Sequence, residues 1–298
     1  MKIAALSLSL FILSIISYGC AGNQTSHDMQ KDTSKLPSVE TKNANTNYKP
    51  AFTGQTRISS VKTTTQYKVE KIGENLGRPW AVIALPDGRL LITEKSGFMQ
   101  ILDANGKFVK KITGFPDVVD RGQIGMLDVA LDPGFVQNKI IYWSYAEKHE
   151  KGNLLAVAKG QLNEAESKIQ NPMVIFRAIP SLNSSLHLGS RLVFDKYEYL
   201  YVSNGERSNI EGRQQAQLLH SGLGKIFKIS KEGKPAPDNP FLNQKNAMPE
   251  IYAYGIRNAQ SMDIHPVTGE LWEAEFGPRG GDELNIIKAG KNYGQRGA

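Results

Sequence analysis

The chain has 298 residues, of which 40% are hydrophobic and 22% charged, enough for one large folded domain or two small ones. Its 36 Lys and Arg against 29 Asp and Glu give a net charge of +7. These positive charges are spread thinly, which argues against a nucleic-acid partner. The single cysteine excludes an intrachain disulfide and a cysteine-based metal cluster, so packing or oxygen-bound ions must stabilise the fold.

Residues 1–20 have the pattern of an export signal, in which Lys2 precedes a short apolar stretch from Ile3 to about Ser17 and Cys20 follows a small residue. Gly-Cys at this position resembles a bacterial lipoprotein cleavage site, where the new N-terminal cysteine receives lipid, although Ser17 stands where an aliphatic residue is usual. The alternative is one membrane-spanning helix over residues 3–21. Either reading predicts an extracytoplasmic protein, periplasmic or anchored to a membrane as a lipoprotein.

Residues 21–65 are rich in Asn, Thr, Ser, Lys and Gln and almost free of aliphatic side chains. Such a segment buries too little apolar surface to offset the entropy of ordering it. We therefore expect a disordered polar tether that carries no chemistry.

Four later segments each consist of a turn followed by a short apolar strand, and their equivalent residues lie 50, 60 and 71 positions apart, at Leu90, Ile140, Leu200 and Leu271. Strands rich in Tyr, Ile, Val and Leu, with almost no helical period, predict an all-β protein. Repeats of this length suit four-stranded propeller blades. An irregular β-sandwich is the alternative. Only about four such units fit into residues 66–298.

Polar residues in the loops could carry chemistry. His187 lies on a Gly/Ser-rich loop near Arg191 and could serve as a general base, or as an ordinary hydrogen-bonded polar residue. Arg257 and Asn258 follow the apolar residues 251–254, where a propeller keeps ligand-facing loops. An arginine there can bind a carboxylate, polarise a carbonyl or form a surface ion pair.

Two other loops are rich in glycine. Gln123 lies between Gly122 and Gly125, a position equally typical of a simple turn. Residues 277–283 combine glycines and a proline with Asp282 and Glu283, and so offer the main-chain and carboxylate oxygens that calcium prefers. The spacing is not that of an EF-hand, and an ordinary charged loop fits the composition as well.

Four motifs occur in the order found in one family: residues 122–127, 187–192, 254–260, and 275–283 with 291–294. Together they resemble the soluble aldose sugar dehydrogenases of the glucose/sorbosone dehydrogenase family, which use pyrroloquinoline quinone. The resemblance covers about residues 66–294 and implies a six-bladed β-propeller, with the quinone over the central axis and a calcium ion beneath it.

The resemblance also implies roles for individual residues. His187 would remove the proton from the anomeric hydroxyl of an aldose while hydride passes to the quinone, which gives a lactone. Gln123 would hold the sugar, Arg257 would stabilise the oxygen of the reduced quinone, and Asn258 would contact the cofactor. The calcium ligands carried over are the main-chain oxygens of Gly277 and Pro278 and, for a second, structural calcium, Glu283 and the carbonyl of Tyr293. An electron acceptor would complete the cycle.

The chain departs from the family pattern in places. Leu188 stands where Phe is frequent, Ala259 where Pro is usual, and Phe276 where His or Gln is found, which weakens polar contacts there. Leu186 replaces the Asp of glucose dehydrogenases proper and favours the broader aldose branch.

The largest departure follows residues 292–294, where the family continues into Trp-Pro and two further blades that hold the quinone carboxylates. We therefore expect an incomplete copy or a frameshifted product, unless a partner chain completes the ring.

Two other functions remain open at this stage. A propeller that has lost its cofactor would be a sugar-binding or scaffold lipoprotein, and a calcium-dependent propeller lactonase would hydrolyse lactones without a quinone.

Overall fold

A computed structural model of the chain describes residues 37, 41, 60, 64–278 and 281–295. The chain divides into two units, Met1–Val69 and Glu70–Ala298, and the elements below lie in the second. The predicted signal at 1–20, with Cys20, and nearly all of the predicted tether at 21–65 lie outside the described residues. Within the described residues, no helix has the length and apolar character needed to span a bilayer.

Four antiparallel sheets follow one another along the second unit. The first sheet contains β1 (Pro79–Ala84), β2 (Leu90–Glu94), β3 (Phe98–Leu102) and β4 (Phe108–Ile112). The second contains β5 (Met126–Leu131), β6 (Ile140–His149), β7 (Gly152–Leu162) and β8 (Ile169–Arg177). The third contains β9 (Leu192–Phe194), β10 (Leu200–Asn204), β11 (Lys225–Ile229) and β12 (Ile251–Tyr254). The fourth contains β13 (Ala259–Ile264), β14 (Leu271–Glu275) and β15 (Glu283–Ile287), and the short helices are α1 (Phe135–Asn138) and α2 (Ile210–Gln215).

The sheets are arranged as blades of a β-propeller. In every sheet the strands pair in chain order, and the first strands β1, β5, β9 and β13 contact one another in succession. This radial repetition of small antiparallel sheets is the propeller architecture. The predicted repeat is confirmed, because its four marker residues all lie in second strands, β2, β6, β10 and β14. The β-sandwich alternative is wrong.

The core consists of three apolar layers, one between each pair of successive sheets. Successive side chains of a strand point to opposite faces, so one strand can supply two layers. On β6, Trp143 packs between the first and second sheets, whereas Tyr142 packs between the second and third. On β10, Val202 and Tyr201 divide in the same way between the second and third layers. Burial on both faces explains why these second strands are almost continuously apolar.

One carboxylate interrupts the third layer. Glu273 on β14 is 1% exposed, and its Oε1 accepts a hydrogen bond from Asn285 Nδ2 at 2.9 Å. Its Oε2 has no hydrogen-bond partner. Burial raises the pKa of Glu273 to about 8, and the nearby carboxylates of Glu275 and Glu283 add to the shift. The fourth sheet therefore carries a buried acid that is protonated at neutral pH.

This buried acid predicts a pH-dependent stability. Between its ordinary pKa of 4.5 and about 8, Glu273 keeps a proton in the folded chain that the unfolded chain releases. The free energy of unfolding should therefore fall as the pH rises through this window. In Glu273→Gln, whose side-chain oxygen can still accept from Asn285, the melting temperature should fall less between pH 5.5 and pH 8. About 1 kcal/mol corresponds to roughly 2–4 °C in a domain of this size.

The matched control is Glu164→Gln, because Glu164 is exposed in the loop between β7 and β8. Its thermal melts should follow those of the unmodified chain at both pH values. A Glu273→Gln variant whose melting temperature falls between pH 5.5 and pH 8 as much as that of the unmodified chain would contradict the argument.

Candidate functional site

A cavity of about 290 Å³ lies at one end of the sheets. Its walls hold one lysine, three side-chain amides and two aromatic rings but no carboxylate; the lining residues are Trp80, Lys95, Gln123, Leu127, Leu188, Gly189, Asn258, Gln260 and Phe276. The structure thus brings the predicted residues Gln123 and Asn258 into one cavity, although they lie 135 positions apart in the sequence. A flat, negatively charged ligand suits such a lining.

His187 lies beside this cavity and is held at both its main chain and its ring. Its main-chain N–H donates to Gln123 Oε1 at 3.0 Å, and its Nδ1 lies 2.8 Å from Oε1 of the fully buried Glu206. The second oxygen of Glu206 accepts from the N–H of Ser208 at 2.7 Å. Because this carboxylate accepts at both oxygens, we assign the ring proton of His187 to Nδ1, which leaves Nε2 as the basic nitrogen.

The loop that carries His187 has an irregular backbone. His187 and Ser190 have φ values of 45° and 90°, which residues other than glycine rarely adopt. Gly205 passes directly behind it: a Cβ at Gly205 would lie 2.4 Å from the carbonyl oxygen of His187 and 3.0 Å from that of Arg257. Glycine at position 205 therefore allows the chain segments of His187 and Arg257 to approach each other.

A buried guanidinium holds the same loop from behind. Arg207 is fully buried and donates to the carbonyl oxygens of Leu186 at 3.1 Å and Ser184 at 2.6 Å. It also donates to Asn153 at both the main-chain and the side-chain oxygen. Burial lowers the pKa of Arg207 to about 10, so the cation persists at neutral pH. Two of these four hydrogen bonds hold Ser184 and Leu186 just before His187, and the other two tie them through Arg207 to Asn153 at the start of β7.

A second buried carboxylate orders the other side of the cavity. Glu275 Oε2 accepts from the N–H groups of Arg257 at 2.5 Å and Asn258 at 3.0 Å. Burial raises the pKa of Glu275 to about 7, against the opposing effect of these two donors. Asn258 Oδ1 in turn accepts from the N–H of Gly189 at 3.1 Å.

The predicted Arg257 is outside the cavity lining, and its guanidinium donates to the carbonyl of Phe276 at the cavity edge.

The predicted calcium ligands are distributed over three segments of the chain. Gly277 and Pro278 follow β14 at the cavity end, and Glu283 pairs with Glu275 across β14 and β15. The main chain of Tyr293, whose carbonyl is the predicted ligand, lies beside the end of β12, where its N–H donates to the carbonyl of Tyr254 at 2.9 Å. Only the phenol of Tyr293 extends toward Ile286 and Lys288, near the other end of β15.

Several of these oxygens already accept hydrogen bonds. The Pro278 carbonyl accepts from the N–H of Gly281 at 3.1 Å, and Glu283 Oε2 accepts from Asn285 Nδ2 at 3.1 Å. Over residues 64–278 and 281–295, no three acidic, His or Cys side chains are close enough to hold a metal.

Four residues of the site were missed from the sequence: Lys95, Glu206, Arg207 and Glu275. Lys95 lines the cavity and its Nζ donates to the carbonyl of Gly122, while burial lowers its pKa. Each of the four is at the end of a second strand or within three residues of it. The same signal, polar residues directly after a buried strand, singles out Arg257 and Asn258 and is also present after these second strands.

Comparison with known proteins identifies the family of the chain and several relatives. A sequence model of the family described as "Glucose / Sorbosone dehydrogenase" matches residues 76–296. The aldose sugar dehydrogenase YliI of Escherichia coli is 41% identical over 228 residues, which are 76% of this chain and 61% of that protein. The chain thus spans about three fifths of the length of this relative.

Solved structures agree with the sequence match. The apo-form of the soluble aldose sugar dehydrogenase from Escherichia coli superimposes with a TM-score of 0.71 at 40% identity, over 75% of this chain and 64% of that one. The PQQ-bound form of the aldose sugar dehydrogenase from Streptomyces coelicolor gives a TM-score of 0.65 at 29% identity, over 77% and 66% of the two chains. Since the family match covers well over half of its residues, the chain belongs to the glucose/sorbosone dehydrogenase family.

Proposed function

We propose that the chain oxidises aldose sugars at the anomeric carbon to lactones, with pyrroloquinoline quinone as the hydride acceptor. The observation that carries the proposal is the His187–Glu206 pair, which is tied through Gln123 to the edge of a cavity that suits an anionic, planar ligand. The similarity to a PQQ-bound aldose sugar dehydrogenase supports the choice of cofactor.

The cavity lining fits the quinone in chemistry. Pyrroloquinoline quinone is a planar tricarboxylate, which needs cations or N–H donors and is repelled by carboxylates. The cavity lining contains Lys95 and the amides of Gln123, Asn258 and Gln260, together with the aromatic rings of Trp80 and Phe276. Lys95 is the only charged side chain among these lining residues of the described chain. We infer that Lys95 faces a cofactor carboxylate and that Asn258 contacts the ring system.

When bound, the quinone supplies an acceptor for hydride from the anomeric carbon. The protein must remove the hydroxyl proton from the same sugar, since an alcohol that loses hydride becomes strongly acidic. Nε2 of His187 is the free ring nitrogen that can take this proton. Glu206 then stabilises the imidazolium through Nδ1 and keeps the ring in the correct tautomer. Gln123, which accepts from the His187 N–H, keeps its amide nitrogen for a sugar hydroxyl.

Arg257 contributes at the rim of the cavity. Its main chain is held by Glu275, and its guanidinium reaches the carbonyl of Phe276. A guanidinium with unused N–H donors at this edge can bind an oxygen that gains negative charge during the reaction. We assign this role to Arg257, and that of fixing its position to Glu275.

Calcium is a separate part of the proposal. The main-chain oxygens of Gly277 and Pro278 would hold the ion, with Glu283 and the carbonyl of Tyr293 at a second one. Two carbonyl oxygens fall well short of the six to eight ligands that calcium takes. A bound ion would therefore need oxygens from the cofactor or from water, and none of the steps above depends on it.

The place of action also belongs to the proposal. An export signal over residues 1–20, with Cys20 as the acceptor of a lipid, would put the oxidation outside the cytoplasm. The electrons would then pass to an acceptor in that compartment.

The central test measures aldose-dependent dye reduction by the purified chain with added quinone and calcium. His187→Ala should lower kcat by about 10²–10⁴-fold, the usual contribution of a general base, while quinone affinity stays within threefold. Glu206→Gln should lower kcat by about tenfold or more and shift the pH–rate profile, because the amide no longer stabilises the imidazolium.

Glu147→Gln is the matched control, since Glu147 pairs with Arg177 on the second sheet. Full activity of His187→Ala would refute the assignment, and sugar binding without any turnover would favour a non-catalytic protein.

Lys95 predicts a loss of cofactor affinity that can be measured without turnover. Lys95→Met should weaken quinone binding about tenfold, as expected for one charge-assisted hydrogen bond, and should reduce the dependence of the dissociation constant on salt. Quenching of intrinsic tryptophan fluorescence reports this binding, because Trp80 lines the cavity. Lys110→Met serves as control. Lys110 lies on β4 and also donates its Nζ to a carbonyl, that of Ala165 in the loop between β7 and β8. Equal quinone affinities for both variants would exclude the role of Lys95.

Calcium removal provides an independent measurement. After dialysis against a chelator, quinone affinity should fall and recover on addition of calcium but not of magnesium, which demands near-ideal octahedral geometry and gives up its water ligands reluctantly. Quinone binding that is identical with and without the chelator would remove calcium from the proposal and leave the His187 chemistry untouched.

A further inference from the structure

A second cavity, of about 410 Å³, lies between the third and fourth sheets. It is bounded by the turn before β10, the turn between β13 and β14, and the residues after β15, and we call it the distal cleft. β10 runs from this cleft toward Glu206, and its five residues span roughly 15 Å. The distal cleft and the site of His187 and Glu206, which we call the oxidation site, are therefore at opposite ends of the same sheets. Its volume is within the range of about 300–1,000 Å³ that is typical of small-ligand pockets.

Tyrosine rings form the apolar part of the distal cleft. The rings of Tyr201 and Tyr252 meet edge to face with their centroids 5.0 Å apart, and both residues line the cavity. Tyr197 stands at the entrance and is 68% exposed. An aromatic face carries negative charge and attracts the weakly positive C–H groups that one face of a sugar ring presents. The ammonium group of Lys196 lies over one face of the Tyr197 ring, 5.0 Å from its centroid, which leaves the other face for such a contact.

The charged groups of the distal cleft cancel. Three lysines and three carboxylates line it: Lys196, Lys228, Lys288, Asp195, Asp238 and Glu270. The 4% exposed Lys228 places its Nζ 2.6 Å from Asp238 Oδ2 and 3.5 Å from Asp195 Oδ2. The same ammonium group lies 5.6 Å from the ring centroid of Tyr201. A strongly charged ligand gains little from a balanced set, whereas hydroxyl groups can donate to the carboxylates and accept from the ammonium groups.

We propose that the distal cleft is a second carbohydrate site, which binds a neutral saccharide without oxidising it. Tyr197 stacks on one sugar ring, and the Lys228–Asp238 pair binds the hydroxyls of that ring or the next. No residue assigned above to the oxidation site lines the distal cleft, so binding here is independent of the quinone. Such a site would hold the protein on a glycan while the opposite end acts on free aldoses.

The test uses the purified chain without quinone and two probes of equal length, the neutral cellotriose and the anionic trigalacturonate. Saturation-transfer NMR and calorimetric titration should detect cellotriose and give at least fivefold weaker affinity for trigalacturonate. Tyr197→Ala should weaken cellotriose binding at least fivefold, and so should Asp238→Asn, whose side chain is 61% exposed and can change without loss of the fold. Dye-reduction activity should be unchanged in Tyr197→Ala.

Two further variants separate the alternatives. Phe108→Ala removes a comparably exposed ring, 57% exposed, from the first sheet and should bind cellotriose like the unmodified chain. His187→Ala should also bind normally. Cellotriose binding that survives Tyr197→Ala but is lost in His187→Ala would assign it to the oxidation site and overturn the proposal. An absence of binding, or a preference for trigalacturonate, would overturn it as well.

Discussion

The geometry of the proposed site depends on one buried cation, the guanidinium of Arg207. The loop before β9 has no regular hydrogen-bond ladder, and His187 itself has a φ of 45°. A loop with such a backbone keeps its shape only when other groups determine it. Arg207 supplies this constraint through its bonds to Ser184, Leu186 and Asn153. Because its neighbour Glu206 holds the ring of His187, two consecutive residues fix both the backbone and the side chain of the proposed base.

This pair is itself held by the segment that follows it. Asn209 caps α2 by accepting from the N–H of Gly212 at 2.7 Å, and Lys225 binds the end of the helix. Lys225 is fully buried, and its Nζ donates to the carbonyls of Gln215, Ala216 and Leu223. Burial lowers the pKa of Lys225 to about 7, whereas the three carbonyls are matched by the three N–H donors of its charged form. The connection from β10 to β11 is therefore rigid, and Glu206 and Arg207 keep their positions.

The sequence reveals the fold more readily than it reveals the site. The second strands could be predicted because burial on both faces makes them continuously apolar, as at Tyr142 and Trp143, and the turns before them repeat. The motifs with Gln123, His187 and Asn258 were visible as a family resemblance, and the structure brings these three residues together. Glu206 and Arg207 could not be predicted, because their importance comes from contacts with residues 184–187, which no spacing along the chain reveals. The two charged residues that follow Gly205, just after the buried strand β10, are nevertheless a sequence signal for a functional loop.

The fourth sheet illustrates why acidic residues with the same local pattern differ in role. Glu273 and Glu275 share one face of β14, and burial raises the pKa of both. Glu275 accepts hydrogen bonds from two main-chain N–H groups of the loop that carries Arg257 and Asn258. These two bonds offset the cost of burying the carboxylate and also order the cavity wall. Glu273 receives a single amide from its own sheet and leaves one oxygen unpaired. The distinction rests on the loop between β12 and β13, which approaches only the end of β14. On β14, the carboxylate at the strand end therefore orders the cavity wall, whereas the one at the strand centre lies in the apolar layer, where its charged form would reduce stability.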